Sequence, residues 1–205
     1  MKKENKHRSV WKIALIVLLG FAFTGLLVFA IWDYIVSGKS VVRLGDYSDL
    51  TYTADNRGDA GTQVVDMLVS RSKFGGLVKE EAKKLAEQTM QKYRGNADYL
   101  EITFEDYLKI YFGTTVEDFQ KSVSESALSV AKEEAVTDAV ADREGIVLSE
   151  AQYETLLNRY MENAGYTDRE LFLRDYNEKE LRVQMRRDLT VDFLLSKAKG
   201  PELTD

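Results

Sequence analysis

The sequence predicts an all-α protein in which a transmembrane helix precedes an extended helical domain, with short strands in the linker between them. The 205 residues include a single proline, Pro201, so helices can run unbroken through almost the whole chain. Apolar residues recur at intervals of three and four over most of the length, which is the spacing of one helix face. Hydrophobic residues make up 44% of the chain, enough to build a core.

A transmembrane helix is predicted at residues 13–31, a run without any charged side chain. Nineteen residues at 1.5 Å each span roughly 28 Å, close to the hydrocarbon thickness of a bilayer. Basic residues dominate the preceding segment, so we expect a cytoplasmic leader at 1–12, a signal anchor at 13–35 and the remainder outside the cell membrane, as a single-pass protein. A cleaved signal peptide is the alternative. Its apolar core ordinarily spans only ~7–15 residues, and it would deliver the remainder to the same side.

The linker at 36–61 is rich in glycine, aspartate and serine and has few signals for a helix. Residues 41–44 and 50–53 have the composition of short strands, and Gly45-Asp46 between them is typical of a turn. We therefore predict that the two segments form short strands around this turn.

Helices are predicted through residues 62–199, followed by a tail at 200–205. The first two are expected at 62–72 and 77–93, and a long one at 115–144. Four later starts pair a short polar residue with an acid or amide three positions on, the pattern of an N-terminal cap. These pairs are Thr115 with Asp118, Ser149 with Gln152, Thr167 with Glu170, and Asn177 with Glu180. Gly145 and Gly165 stand where the preceding helices need a left-handed residue to stop.

The composition removes most catalytic and metal chemistry. There is no cysteine, and the only histidine, His7, lies in the basic leader. Glu80-Glu81 and Glu133-Glu134 are adjacent carboxylates, which a helix points apart. Residues 55–59 make a poor calcium loop because Arg57 takes a ligand position, and the adhesion tripeptide at 57–59 is better explained as a turn. We expect no catalytic residue, no metal and no cofactor.

Aromatic residues concentrate in two clusters of the helical domain. The first cluster contains Tyr99, Phe104, Tyr107, Tyr111, Phe112 and Phe119; the second contains Tyr153, Tyr160, Met161, Tyr166, Phe172 and Tyr176. Most of these side chains are explained by packing between helices. The functional interpretation is an exposed groove of rings and methionine that accepts varied peptide segments. The substrate-binding candidates are Tyr107, Tyr111, Phe112, Tyr160, Met161 and Tyr166.

Several of these segments, taken in order, resemble the C-terminal helical domain of trigger factor, the bacterial folding chaperone. The resemblance covers 62–199 and is carried by residues 70–74, 104–108, 113–119, 144–149, 165–166, 181–182, 191–194 and 198. The domain is also similar to the peptide-binding part of SurA-like and PrsA-like extracytoplasmic foldases. Leu44-Gly45-Asp46-Tyr47 resembles the strand that leads into the family's FKBP-type isomerase domain. Only about ten residues separate Thr53 from the first predicted helix, too few for that domain.

The resemblance implies a chaperone that holds unfolded or newly translocated polypeptides without isomerase catalysis. A membrane segment stands where the family has its ribosome-binding domain, so we expect no ribosome contact. The acidic balance, 34 acidic against 28 basic residues, argues against nucleic acid. The main alternative is a membrane-tethered scaffold or adaptor for one specific folded partner, and a residual prolyl isomerase is a third, less favoured interpretation.

Overall fold

The computed structural model describes residues 38–203, a range that contains seven α-helices and one two-stranded sheet. The helices are α1 Arg57–Arg71, α2 Gly76–Tyr99, α3 Phe104–Phe112, α4 Val116–Glu144, α5 Glu150–Asn163, α6 Arg169–Asp175 and α7 Glu178–Lys197. The all-α prediction is therefore confirmed for this range. The predicted membrane segment at 13–31 lies outside the described residues. Among the helices of 38–203, none combines the length and the apolar character needed to cross a bilayer.

Of the two short strands predicted at 41–44 and 50–53, only the first forms. Strand β1 Val41–Arg43 pairs antiparallel with β2 Lys73–Phe74. Thr51 instead forms a parallel bridge with Lys199, near the end of the described chain.

The chain at Gly45 passes along the end of α1 instead of turning back on itself. A Cβ on Gly45 would lie 2.5 Å from Cβ of Arg71. The Gly45 amide donates to Oγ of Ser72 at 2.9 Å, and the Arg71 guanidinium donates to the Asp46 carbonyl at 2.9 Å. Close approach to α1, rather than a hairpin turn, explains the glycine.

Helix α1 begins at Arg57, five residues before the predicted start. The side chain of Asn56 accepts from the Asp59 amide at 2.9 Å and donates to the Asp59 carboxylate, which caps the first turn. The turn predicted at 57–59 is therefore wrong, because Arg57, Gly58 and Asp59 are helical. No cluster of three or more metal-ligating side chains occurs within 38–203.

Three of the four predicted caps are confirmed. Thr115 and Asn177 cap α4 and α7, and Ser149 forms a reciprocal capping box with Gln152. The prediction for α6 is displaced by one residue, because the Asp168 carboxylate accepts from the amides of residues 170 and 171. The sequence reasoning missed Thr103, which caps α3 by the same device.

Two arms extend from a central body. The first arm consists of α2, α3 and the N-terminal half of α4, where α2 and α4 run antiparallel. Val78 and Ala82 near the start of α2 pack against Ala131 and Ala135 of α4. The second arm consists of α5, α6 and the N-terminal half of α7. Its core is formed by Tyr153, Leu156, Leu157, Met161, Phe172, Leu181 and Met185.

The body is held by α1, by the C-terminal halves of α4 and α7, and by Leu50 from the linker. Leu50, Val64, Leu68, Val136, Val140 and Leu194 are completely buried there. Each side chain of this size contributes about 1.5–3 kcal/mol by leaving water. This core fixes the base of both arms.

An ionic junction ties α7 to α4 where the arms diverge. The guanidinium of Arg187 lies 2.6 Å from Glu134 and 2.8 Å from Asp138. Arg186 reaches Asp142 at 2.6 Å and donates to the Ile146 carbonyl at 2.8 Å. Burial raises the pKa of the Glu134 carboxyl, and the charge of Arg187 opposes that rise. The junction therefore holds α7 to α4 through four arginine contacts with carboxylate or carbonyl oxygens.

Candidate functional site

Five large apolar side chains are exposed toward the end of the first arm, and we call this set of residues the apolar tip. It consists of Tyr99, Leu100, Ile110, Tyr111 and Phe112. Tyr99 is 87% exposed, Ile110 66% and Tyr111 58%. Single exposed apolar residues are ordinary on a protein surface, whereas neighbouring ones at the end of an arm are typical of a binding site.

A platform of packed rings supports the apolar tip. Phe112 contacts the rings of Tyr93 and Phe119 at centroid distances of 5.4 and 5.3 Å. Tyr93 and Phe119 meet edge to face at 5.1 Å, and Tyr111 lies 4.8 Å from Tyr107. These contacts hold the exposed rings in place before any ligand arrives, which lowers the ordering cost of binding.

Two of the six predicted binding residues are buried, so the expectation that they are exposed is wrong. Tyr107 faces α2 beside Ala97 in the ring platform, and Met161 faces the core of the second arm beside Phe172. Each lies on the inward side of a short amphipathic helix, so packing accounts for both. Tyr111 and Phe112 are exposed as expected.

The remaining two candidates, Tyr160 and Tyr166, are half-buried and held by carboxylates. The Tyr160 hydroxyl donates to Asp188 at 2.7 Å, and the Tyr166 hydroxyl donates to Asp175 at 2.9 Å. Burial raises the pKa of Tyr160, and the hydrogen bond to Asp188 adds to the rise. Both hydroxyls therefore serve the structure of the second arm.

Tyr153, a member of the second predicted aromatic cluster, is buried although a buried tyrosine hydroxyl usually finds a hydrogen-bond partner. Its side chain is fully buried, and its hydroxyl has no hydrogen-bond partner among the described residues. The Arg182 guanidinium lies 3.6 Å from the centre of its ring. This cation–π contact stabilises the ring from one face.

A groove of about 1000 Å³, which we call the junction groove, opens between the arms. Residues of α1, α4, α5 and α7 line it, and most of its charges are already paired, as in Arg57 with Asp192 and Arg159 with Asp188. Tyr160 lies on its wall, and Val130 supplies exposed apolar surface.

A smaller groove of about 320 Å³ continues from Val130 along the first arm, and we call it the inner groove. It is lined by Leu85, Tyr93, Phe119, Val123 and Ala127, together with small polar residues. Tyr93 and Phe119 belong to the ring platform as well. A continuous surface therefore leads from the junction to the apolar tip.

The tip residues Leu100 and Ile110 were not among the predicted candidates, although the sequence contains a signal for Ile110. Helix α3 has the sequence FEDYLKIYF, in which six of the nine residues are apolar or aromatic and Glu105, Asp106 and Lys109 form one charged face. This short helix packs against α2 and α4 through Tyr107, Leu108 and Phe112, and Ile110 remains exposed beyond these contacts.

This arrangement is a helical body with exposed apolar side chains on its first arm and open grooves between its helices. Residues 62–196 match the family of the bacterial trigger factor protein (TF) C-terminus, which confirms the resemblance seen in the sequence. Because the match covers about two thirds of the chain, the chain belongs to this family. No curated protein matches the chain. Membership indicates a chaperone-like role with unfolded polypeptides as partners, and the matched region is the chaperone part of trigger factor, not its isomerase domain.

Proposed function

We propose that the protein is a membrane-anchored extracytoplasmic holdase that binds unfolded or newly translocated polypeptides at the apolar tip of its first arm. The observation that carries the proposal is the exposure of Tyr99, Ile110 and Tyr111 on a preformed platform of rings. No step of this function requires catalysis.

The apolar tip has a small surface area, so it binds a client weakly. Burying apolar surface gains about 25 cal/mol per Å², and a contact of a few hundred Å² is offset by the cost of association and of ordering the client. A client segment therefore dissociates readily, as folding after release requires. The inner groove extends this contact along α4 without enclosing the client.

The junction groove contributes in a different way. Its ion pairs, such as Arg57 with Asp192 and Arg187 with Glu134, leave few uncompensated charges for a client to neutralise. A polar, paired surface beside an apolar one lets a chain lie against the body without tight anchoring.

The proposed location rests on the sequence of residues 13–31 and the basic leader before it. Because the natural chain has no cysteine, a single introduced one reports topology directly. With a membrane-impermeant thiol reagent on intact cells, we expect labelling of Ser122→Cys and protection of Lys3→Cys. The reverse pattern, or labelling of neither until the cells are lysed, would refute the extracytoplasmic location.

Holdase activity is tested with the full chain in lipid nanodiscs and two unrelated proteins diluted from denaturant. We expect the chain to suppress light scattering by both clients, and Ile110→Ser with Tyr111→Ser to weaken suppression at least threefold. The matched control is Val147→Ser with Val183→Ser, which removes two exposed apolar side chains from elsewhere on the surface.

Equal losses in the two double variants would contradict the role of the tip. If the natural chain suppresses aggregation of neither client at equimolar or higher concentration, the holdase proposal fails. A dedicated scaffold for one folded partner would then be the better account.

A further inference from the structure

A third groove lies on the other side of the contact between α2 and α4, and we call it the outer groove. It has a volume of about 610 Å³. Ala82, Ala86 and Met90 of α2 and Leu128 of α4 form its apolar floor. The inner groove uses different residues of the same two helices, so the two surfaces are separate.

The rim of the outer groove is basic, in a chain whose formal net charge is −6. Lys79, Lys83 and Arg94 line it, and Glu87 is the only acid that does so among residues 38–203. Lys83 and Glu87 approach to 3.8 Å while both remain largely exposed, a contact of little energetic value. Lys79 and Arg94 form no ion pair with any residue of 38–203, and the Arg94 guanidinium lies 4.6 Å from the centre of the Phe104 ring.

The placement of these cations sets the size of a matching ligand. Lys79 and Arg94 are fifteen residues apart on α2, which corresponds to roughly 22 Å. The apolar floor lies between them. Two packed helices form a trough that accepts a third helix along their contact line, and an amphipathic helix of about four turns would fill this length.

We propose that the outer groove binds an acidic amphipathic helix, with carboxylates near both ends of the segment and apolar side chains in its middle. The carboxylates would meet Lys79 and Lys83 at one end and Arg94 at the other. The small side chains of Ala82 and Ala86 leave room for the ligand's aliphatic residues, and the flexible Met90 adapts to their shape. This site is independent of the holdase activity at the apolar tip, from which it differs in charge and position.

The test uses a fluorescent 16-residue helical peptide with glutamates at both ends and leucines in the middle, and a counterpart with lysine in place of glutamate. Fluorescence anisotropy is measured with the full chain in neutral-lipid nanodiscs. We expect saturable binding of the acidic peptide, weakened by high salt, and at least tenfold weaker binding of the lysine peptide. Lys79→Glu with Lys83→Glu should weaken the acidic peptide about tenfold.

The matched control is Lys84→Glu with Lys92→Glu, which makes the same change of net charge on the same helix outside the groove. We expect this control to change the affinity for the acidic peptide less than threefold. Met90→Asp, which places a negative charge on the apolar floor, should abolish binding while the far-UV circular dichroism spectrum stays unchanged. Equal losses in the two lysine pairs, or equal affinity for the acidic and basic peptides, would overturn the proposal. The tip variant Ile110→Ser with Tyr111→Ser should bind the acidic peptide normally, so a failure of this site is distinguishable from a failure of the holdase proposal.

Discussion

Both arms contain a cluster of aromatic residues, and the three most exposed rings, those of Tyr99, Tyr111 and Phe112, lie in the first arm, while Tyr176 of the second arm is 43% exposed. In the first arm, Ile110, Tyr111 and Phe112 remain exposed at the end of a short helix. In the second arm, Tyr153 and Phe172 are buried between three helices. Aromatic content therefore does not distinguish a binding surface from a core; whether each ring faces the neighbouring helices or the solvent does.

Hydrogen-bond partners strengthen the contrast. Tyr160 and Tyr166 of the second arm donate to Asp188 and Asp175, carboxylates placed within reach by α6 and α7. The rings at the end of the first arm have few such partners; Asn96 donates to the Tyr107 hydroxyl at 3.5 Å, a long contact. The second arm uses Tyr160 and Tyr166 for structure, whereas Tyr99 and Tyr111 of the first arm remain exposed.

The largest expected effect compares one phenylalanine from each arm. Phe172→Ala should lower the free energy of unfolding by about 3–5 kcal/mol, because a fully buried ring leaves a cavity. Phe112→Ala should cost less than about half as much, because its ring is 46% exposed. Urea unfolding followed by circular dichroism measures both values. Equal losses would mean that the first-arm rings are core residues and would weaken the case for a binding tip.

A smaller effect is expected from removing single hydroxyl groups. Tyr160→Phe leaves Asp188 without its 2.7 Å donor and should cost about 1–2 kcal/mol. Tyr111→Phe removes an exposed hydroxyl and should change stability by less than about 0.5 kcal/mol. The same urea titration measures the free energy of unfolding of both variants and so distinguishes the two expected losses. If Tyr160→Phe were neutral, Tyr160 would be free to serve clients, as the sequence suggested.

The smallest effect is a loss of stability of the second arm in acid. The Arg169 guanidinium lowers the pKa of Glu154, and Arg174 together with Tyr166 lowers that of Asp175. Since the folded pKa values lie below the unfolded ones of about 4, this stabilisation is present above pH 4 and is lost as the pH falls through the folded values. Glu154→Gln with Asp175→Asn should therefore flatten the fall of the melting temperature between pH 5 and pH 3. An unchanged slope would show that these carboxylates do not control acid stability.

Much of the fold was predictable from the sequence because local signals specify it. Thr115, Ser149 and Asn177 cap the helices that they were predicted to cap, and Gly145 and Gly165 have positive φ angles of 66° and 75°. Each of these features depends on a few neighbouring residues.

The errors arose where distant contacts decide the outcome. Residues 41–43 pair with Lys73–Phe74, and Thr51 pairs with Lys199, because the linker packs on the ends of α1 and α7. The candidate site was predictable only in part for the same reason. Periodicity places Tyr107 and Tyr111 on one short helix, but which of the two faces α2 depends on packing that the sequence does not display.

The most direct test of the account is hydrogen exchange of the full chain in nanodiscs with and without a permanently unfolded, reduced and alkylated client protein. Client binding should slow exchange at the end of α2, in α3 and at the start of α4, and leave α5 and α6 unchanged. Protection confined to the second arm, or none at client concentrations that saturate binding, would contradict the claim that the first arm holds the client.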